Sequence, residues 1–171
     1  MHPSKSASAF VAPDHDHSVC VSRALADAEA HCLANGLQLT ATRRQVLEII
    51  CQGHEPAKAY DILDQLSRAG RRAAPPTVYR ALEFLLDARL VHRIDSLNAY
   101  VACIHPARQH SAQLLVCSNC DQVAEIDDPQ IHAVLDRGAS RHGFQVDSQT
   151  VEIHGRCPRC RAARGADHDG A

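Results

Sequence analysis

Apolar residues recur at helical spacing four times in the first half of the chain. Leu25, Ala28 and Cys32 share one face of a helix predicted over residues 22–35, which Gly36 stops. A second helix is predicted from about Thr42, whose spacing to Gln45 fits a capping box, through Val46, Leu47, Ile49 and Ile50 to Gly53. A third begins near Pro56 and packs through Ala59, Ile62, Leu63 and Leu66 before Gly70. Pro75-Pro76 gives a fourth helix a fixed-φ entry near Thr77, and Val78, Ala81, Leu82 and Leu85 make its buried stripe. At helical periodicity Arg80 falls on the opposite face of that helix, in its first turn, with Tyr79 flanking it. The period then changes. Residues 90–94 read as a strand, 95–98 as a turn and 99–103 as the returning strand.

The remainder alternates strands with one helix. Residues 113–116 run as a strand into Cys117-Ser118-Asn119-Cys120, and residues 122–127 form its partner. Asp128 is an N-cap with Pro129 at the first helical position, and Ile131, Val134 and Leu135 are predicted as a buried stripe leading to Gly143. Further strands are predicted over residues 144–146 and 150–153 before Cys157-Pro158-Arg159-Cys160 closes the domain. The fold class is therefore α+β. It divides into a winged helix-turn-helix over residues 21–103, a connector over 104–112 and a small α/β domain over 113–161. Residues 1–20 and 162–171 are predicted as tails, the first of them small, polar and without period.

Composition adds two constraints. Aromatic residues are 4% of the chain and Trp is absent, so the core is built from Ala, Leu, Val and Ile. Nothing approaches membrane-spanning length, and the N-terminus lacks the apolar core of a signal peptide, which points to the cytoplasm. In that compartment eight cysteines read as metal ligands and free thiols rather than disulfides. The net charge of −2 gives no overall attraction to nucleic acid, but its distribution is uneven. From Gly36 to Arg93 nine Lys/Arg stand against six acids, whereas from Cys103 onward seven Arg stand against nine. The first half has the sign that DNA binding needs.

Two C-x-x-C knuckles, Cys117/Cys120 and Cys157/Cys160, can turn four thiolates towards one point and make a tetrahedral zinc site. Redox pairs or uncommitted thiols are the alternatives, but two such pairs in one cytosolic chain favour zinc. Cys32 and Cys51 fall at helical core positions, and Cys20 in the tail. On spacing alone Arg80 is either a surface arginine or the base-reading residue of a recognition helix.

The segments Leu39-Thr40-Ala41-Thr42-Arg43, Ala59-Tyr60-Asp61-Ile62-Leu63 and Pro75-Pro76-Thr77-Val78-Tyr79-Arg80-Ala81-Leu82, taken with both cysteine pairs, resemble the ferric uptake regulator (Fur) superfamily over about residues 22–160. The resemblance implies a homodimer joined through the second domain that reads a palindromic operator in double-stranded DNA. Arg43, Tyr60, Thr77, Tyr79 and Arg80 are then DNA-binding candidates. It also implies a second metal. His92, Cys103, His110 and Glu125 match the regulatory zinc site of the zinc uptake regulator branch, so each subunit would hold one structural and one regulatory zinc ion. Thiolate with imidazole favours zinc over the iron or manganese that an all-N/O set would suit.

Many members of the superfamily carry a further metal site that uses His or Asp just before the first strand of the second domain. Here that stretch reads Ser111-Ala112-Gln113, with His142 and His154 nearby. The expected function is a repressor of zinc-uptake genes that acts when zinc is replete. An iron, manganese or peroxide regulator is the alternative, and a zinc-ribbon adaptor the remote one. No enzyme is expected, since neither H-E-x-x-H nor H-x-E with P-C-x-x-C appears.

Overall fold

Val46, Leu47, Ile50, Ile62, Val78, Leu82 and Leu85 are all buried, so the apolar stripes read from the sequence do meet. They do so in a computed structural model that describes residue 10 and residues 17–53, 55–69, 74–107 and 111–166. The chain divides into two compact units between His110 and Ser111.

The first unit runs α1 (His17–Ala34), α2 (Ala41–Gln52), α3 (Ala59–Arg68), α4 (Pro75–Asp87), β1 (Val91–Ile94) and β2 (Ala99–Ala102). The two strands pair antiparallel, His92 opposite Val101 and Arg93 opposite Tyr100. Asn98 takes the left-handed conformation (φ 47°) at the turn between them, a backbone that Asn tolerates better than most residues. Four helices closed by this hairpin make a winged helix-turn-helix.

α4 starts two residues early, at Pro75, and three other helix starts differ from expectation for local reasons. α1 starts at His17 because its first turns need no apolar stripe: Val19 is 62% exposed there, and Ser22 bonds back to the Ser18 carbonyl at 2.8 Å. Cys20 is thus an exposed helical residue, not part of a tail. α2 is capped by Thr40, which has the extended backbone a cap requires and accepts from the Arg43 N–H at 3.5 Å, whereas Thr42 is already helical. α3 waits until Ala59 because Ala57 is extended, exchanging two 2.9 Å backbone bonds with Tyr100. That bridge ties the start of α3 to the wing.

The second unit contains β3 (Ala112–Cys117), β4 (Val123–Ile126), α5 (Pro129–Ser140), β5 (Thr150–Gly155) and α6 (Pro158–Ala166). The sheet order is β4-β3-β5, with β3 antiparallel to β4 and parallel to β5. Asp128 caps α5 as expected, accepting from Gln130 N at 2.8 Å. The predicted burial of its apolar stripe fails. No residue of α5 is buried, and Val134 and Leu135 are 57% and 42% exposed. Phe144 and Ile153 are exposed as well.

Residues 144–146 form no strand. Gly143 (φ 67°) ends α5 in a left-handed cap, and the Phe144 N–H is spent on the Ala139 carbonyl at 3.1 Å. α6 was not expected, although its Ala/Arg-rich sequence behind Pro158 has good helix propensity.

Candidate metal centres and nucleic-acid interface

The parallel pairing of β3 with β5 sets Cys117 opposite Gly155, so both cysteine knuckles leave the same end of the sheet. Ser118 N–H donates to the Gly155 carbonyl at 2.8 Å and holds the first turn against the second. Asp121 (φ 54°) tightens the first knuckle, and its N–H reaches the Cys117 carbonyl at 3.0 Å. Cys160 lies in the first turn of α6.

The four Sγ atoms of Cys117, Cys120, Cys157 and Cys160 all lie within 4.8 Å of one another. Cys120 and Cys157 are 3.8 Å apart. A disulfide needs about 2.05 Å, whereas the edge of a tetrahedron with zinc–sulfur bonds of about 2.3 Å is roughly 3.8 Å. The donor set fits a thiophilic divalent metal. Four cysteine donors would fill a tetrahedral site and leave no position for substrate, which is the pattern of structural rather than catalytic zinc sites.

The surroundings favour thiolate at Cys117. Burial alone would raise the Cys117 thiol, but N–H donors from Cys157, Asn119 and Cys120 outweigh it and hold it down to about 6. The Cys157 donor is 3.4 Å from that sulfur. Cys120 goes the other way, pushed up to about 11 by burial and by the neighbouring sulfurs. Asn119 Nδ2 donates to Cys160 Sγ at 3.3 Å.

The other predicted ligands are placed as follows. His92 lies on β1, half-buried, and Cys103 follows β2, buried, its N–H extending the ladder to the Leu90 carbonyl at 3.0 Å. A ring nitrogen of His92 and Cys103 Sγ are within 4.8 Å of each other. Glu125 lies on β4 of the second unit, half-buried and opposite Leu114. His110 falls outside the described residues. Neither His142 nor His154 joins a set of three metal ligands among the described residues; His154 Nε2 lies 3.5 Å from Glu152.

On the first unit Arg80 is exposed on α4 with no acidic partner among the described residues. It borders a groove of ≈ 250 Å³ together with Thr40, Thr42, Arg43 and Thr77. Neither α2 nor α4 carries an acid in its first turn, so this face would not repel a phosphate backbone. Tyr60 is 80% exposed and Tyr79 49%, beside a small depression that both line. Arg43 has a different situation. Its guanidinium stacks 3.6 Å from the Phe84 ring centroid and donates to the Gln38 carbonyl at 2.6 Å, so it braces α2 on α4. Thr40 and Thr42 were missed as groove residues; their place on the N-terminal turn of α2 was the available signal. A wider cleft of ≈ 630 Å³, lined by Asp27, His31, Asn35, Arg89 and His105, brings no three metal ligands together.

A winged helix-turn-helix with an exposed arginine on its fourth helix, in one chain with a sheet whose end gathers four cysteine sulfurs, is the architecture of a DNA-binding protein that can also bind metal. The chain belongs to the ferric uptake regulator family, which matches residues 34–154. It is 34% identical over 145 residues to the zinc uptake regulation protein of Escherichia coli (strain K12), covering 84% of this chain and 85% of that one. A zinc uptake regulator solved in complex with zinc and DNA superposes with a TM-score of 0.80 at 34% identity, over 85% of this chain and 97% of the other. The crystal structure of holo XcZur gives 0.76 at 40% identity, over 86% and 99%. No helix among the described residues is long and apolar enough to cross a membrane.

Proposed function

We propose that this chain is a zinc-responsive transcriptional regulator whose homodimer binds a palindromic operator and represses zinc-uptake genes in the cytoplasm. The observation that carries the reading is the thiolate–imidazole pair, Cys103 with His92, at the base of the wing that follows the Arg80 helix. A pair of that chemistry selects zinc over iron or manganese. The relatives named above, a zinc uptake regulation protein and a regulator bound to zinc and DNA, support it.

In this reading Cys117, Cys120, Cys157 and Cys160 hold one structural zinc ion per subunit, and His92, Cys103, His110 and Glu125 hold a second, regulatory one. His92 and Cys103 belong to the DNA-reading unit and Glu125 to the other, so the set is complete only in some arrangements of the two. Zinc bound by all four would favour those arrangements, and by linkage DNA affinity rises by the ratio of its affinities for the two states. A shift from mostly open to mostly closed takes up to about 5 kcal/mol, within reach of one well-coordinated zinc ion. Arg80, Tyr79 and Thr77 meet base edges and phosphates, and Tyr60 stands beside them. Arg43 acts by holding α2 against α4.

The exposed face of α5 gives the dimer its contact. Val134→Asp with Leu135→Asp should convert a dimer to a monomer in analytical ultracentrifugation while both metals stay bound; an unchanged sedimentation coefficient would place the interface elsewhere.

Gel shifts on a palindromic operator under metal buffering test the whole reading. Zinc should tighten binding at lower free concentration than Fe²⁺ or Mn²⁺. A stronger response to Fe²⁺ would move the chain to the iron branch of the family, and no metal response would end the sensor proposal. Arg80→Ala should keep both metals and lose about 1–3 kcal/mol of operator affinity, roughly 5- to 150-fold.

A further inference from the structure

Ser111-Ala112-Gln113 stand where many Fur-superfamily members carry His or Asp ligands for a further metal, and here they are committed to other bonds. Ser111 Oγ lies 2.8 Å from His132 Nδ1, and the same nitrogen lies 3.1 Å from Gln149 Oε1. Gln149 Nε2 donates to Asp136 Oδ1 at 2.8 Å, and Asp136 Oδ2 is 3.5 Å from His132 Nε2. The buried Gln113 side chain pairs twice with the Asp128 backbone, donating to its carbonyl at 2.9 Å and accepting from its N–H at 3.1 Å.

The orientation of this network follows from its chemistry. A carboxylate only accepts, so Gln149 turns its amide nitrogen to Asp136 and its oxygen to His132. That oxygen in turn needs a donor, which places the ring proton on Nδ1. A nitrogen that donates has no lone pair left for a metal. What remains is one imidazole nitrogen and one carboxylate on adjacent turns of α5, short of the three protein ligands a catalytic zinc site uses and the four a structural one uses. The residues present do not fit a further metal.

We infer that Ser111, His132, Gln149 and Asp136 form a metal-free clamp that fastens the start of β3 to α5 and to the residue preceding β5. Ser111 follows His110 directly in the chain, so on the proposed function above the clamp also positions a ligand of the switch site. Ser111 and His132 are positioning residues in this sense.

The test uses full-length zinc-loaded protein and the variants Ser111→Ala, His132→Ala and their double. Metal content is measured by mass spectrometry after equilibration with excess zinc or manganese and desalting. Affinity of the weaker zinc is measured by competition with a chelating dye. Two zinc ions per chain should be found throughout. Each single variant should weaken the second by about tenfold, on the order of what loosening the support around a metal site costs, and the double should be no weaker than either single. A third metal equivalent in the parent that vanishes in His132→Ala would overturn the clamp in favour of a metal site. Unchanged affinity in both single variants would overturn its positioning role. If the parent holds no second zinc, the switch itself fails, and the clamp is judged by thermal unfolding: additive losses at Ser111 and His132 would then refute it.

Discussion

Cys117→Ser should yield protein whose second unit does not fold: insoluble or monomeric, with the helix and strand signals of residues 111–166 lost from circular dichroism. The expectation rests on how little else that unit has. No residue of α5 is buried, and the fully buried apolar side chains gather on β3. Structural zinc contributes on the order of 10–16 kcal/mol in small domains, as much as the entire stability of an ordinary one. Cys117 is the ligand with most to lose, since it ends β3 and its sulfur already receives the Cys157 N–H. A strong chelator should act like the substitution. Acid should favour release, because Cys120, pushed up to about 11, must surrender a proton on binding and protons compete as pH falls. A Cys117→Ser protein that remains a folded dimer with one fewer zinc would show that the sheet stands without its staple.

The second large effect would separate the two proposed metals. Cys103→Ser should abolish zinc-dependent operator binding, by more than 100-fold in affinity at saturating zinc, and leave a folded dimer that retains one zinc ion per chain. The side chain is buried at the base of the wing, yet its backbone bond to Leu90 survives the change, and serine is nearly isosteric. On the proposed function, what disappears is the sulfur ligand that would distinguish a zinc site from an iron site. Titration of the variant by fluorescence anisotropy on a labelled operator measures it. A full zinc response would remove Cys103 from the switch and leave His92 with another role.

Val78, Ala81, Leu82 and Leu85 were legible because a helix that packs on one side must repeat its apolar residues, and Arg80 was legible as the residue left outside. The cysteine pairs were legible because ligand spacing is a local constraint. Legibility failed where the answer depended on something distant or on something outside the chain. Ile131, Val134 and Leu135 line up as a stripe, but alignment does not say whether the cover is this chain's own core or another copy's surface. Phe144-Gln145-Val146 has the alternation of a strand, because nothing local reveals that the Phe144 N–H is taken by a helix cap. Thr40 and Thr42 compete for one cap, and only the backbone angles decide between them. Ser111, His132, Asp136 and Gln149 carry no spacing signature beyond one His/Asp pair a turn apart, and only the placing of α5 beside the leads into β3 and β5 brings them together.

The parallel pairing of β3 with β5 has a consequence in time. Cys120 and Cys157 are separated by 37 positions, and the central strand has no parallel partner until residue 150 has been made. At about 5–20 residues per second on the ribosome, the first knuckle waits roughly two to seven seconds with two thiols and no second pair to close a site. During that interval it is a bare dithiol, open to oxidation and to any thiophilic ion in the cell. On the proposed function, a message cut short before Cys157 would leave the first knuckle without the second pair and β3 without its parallel partner.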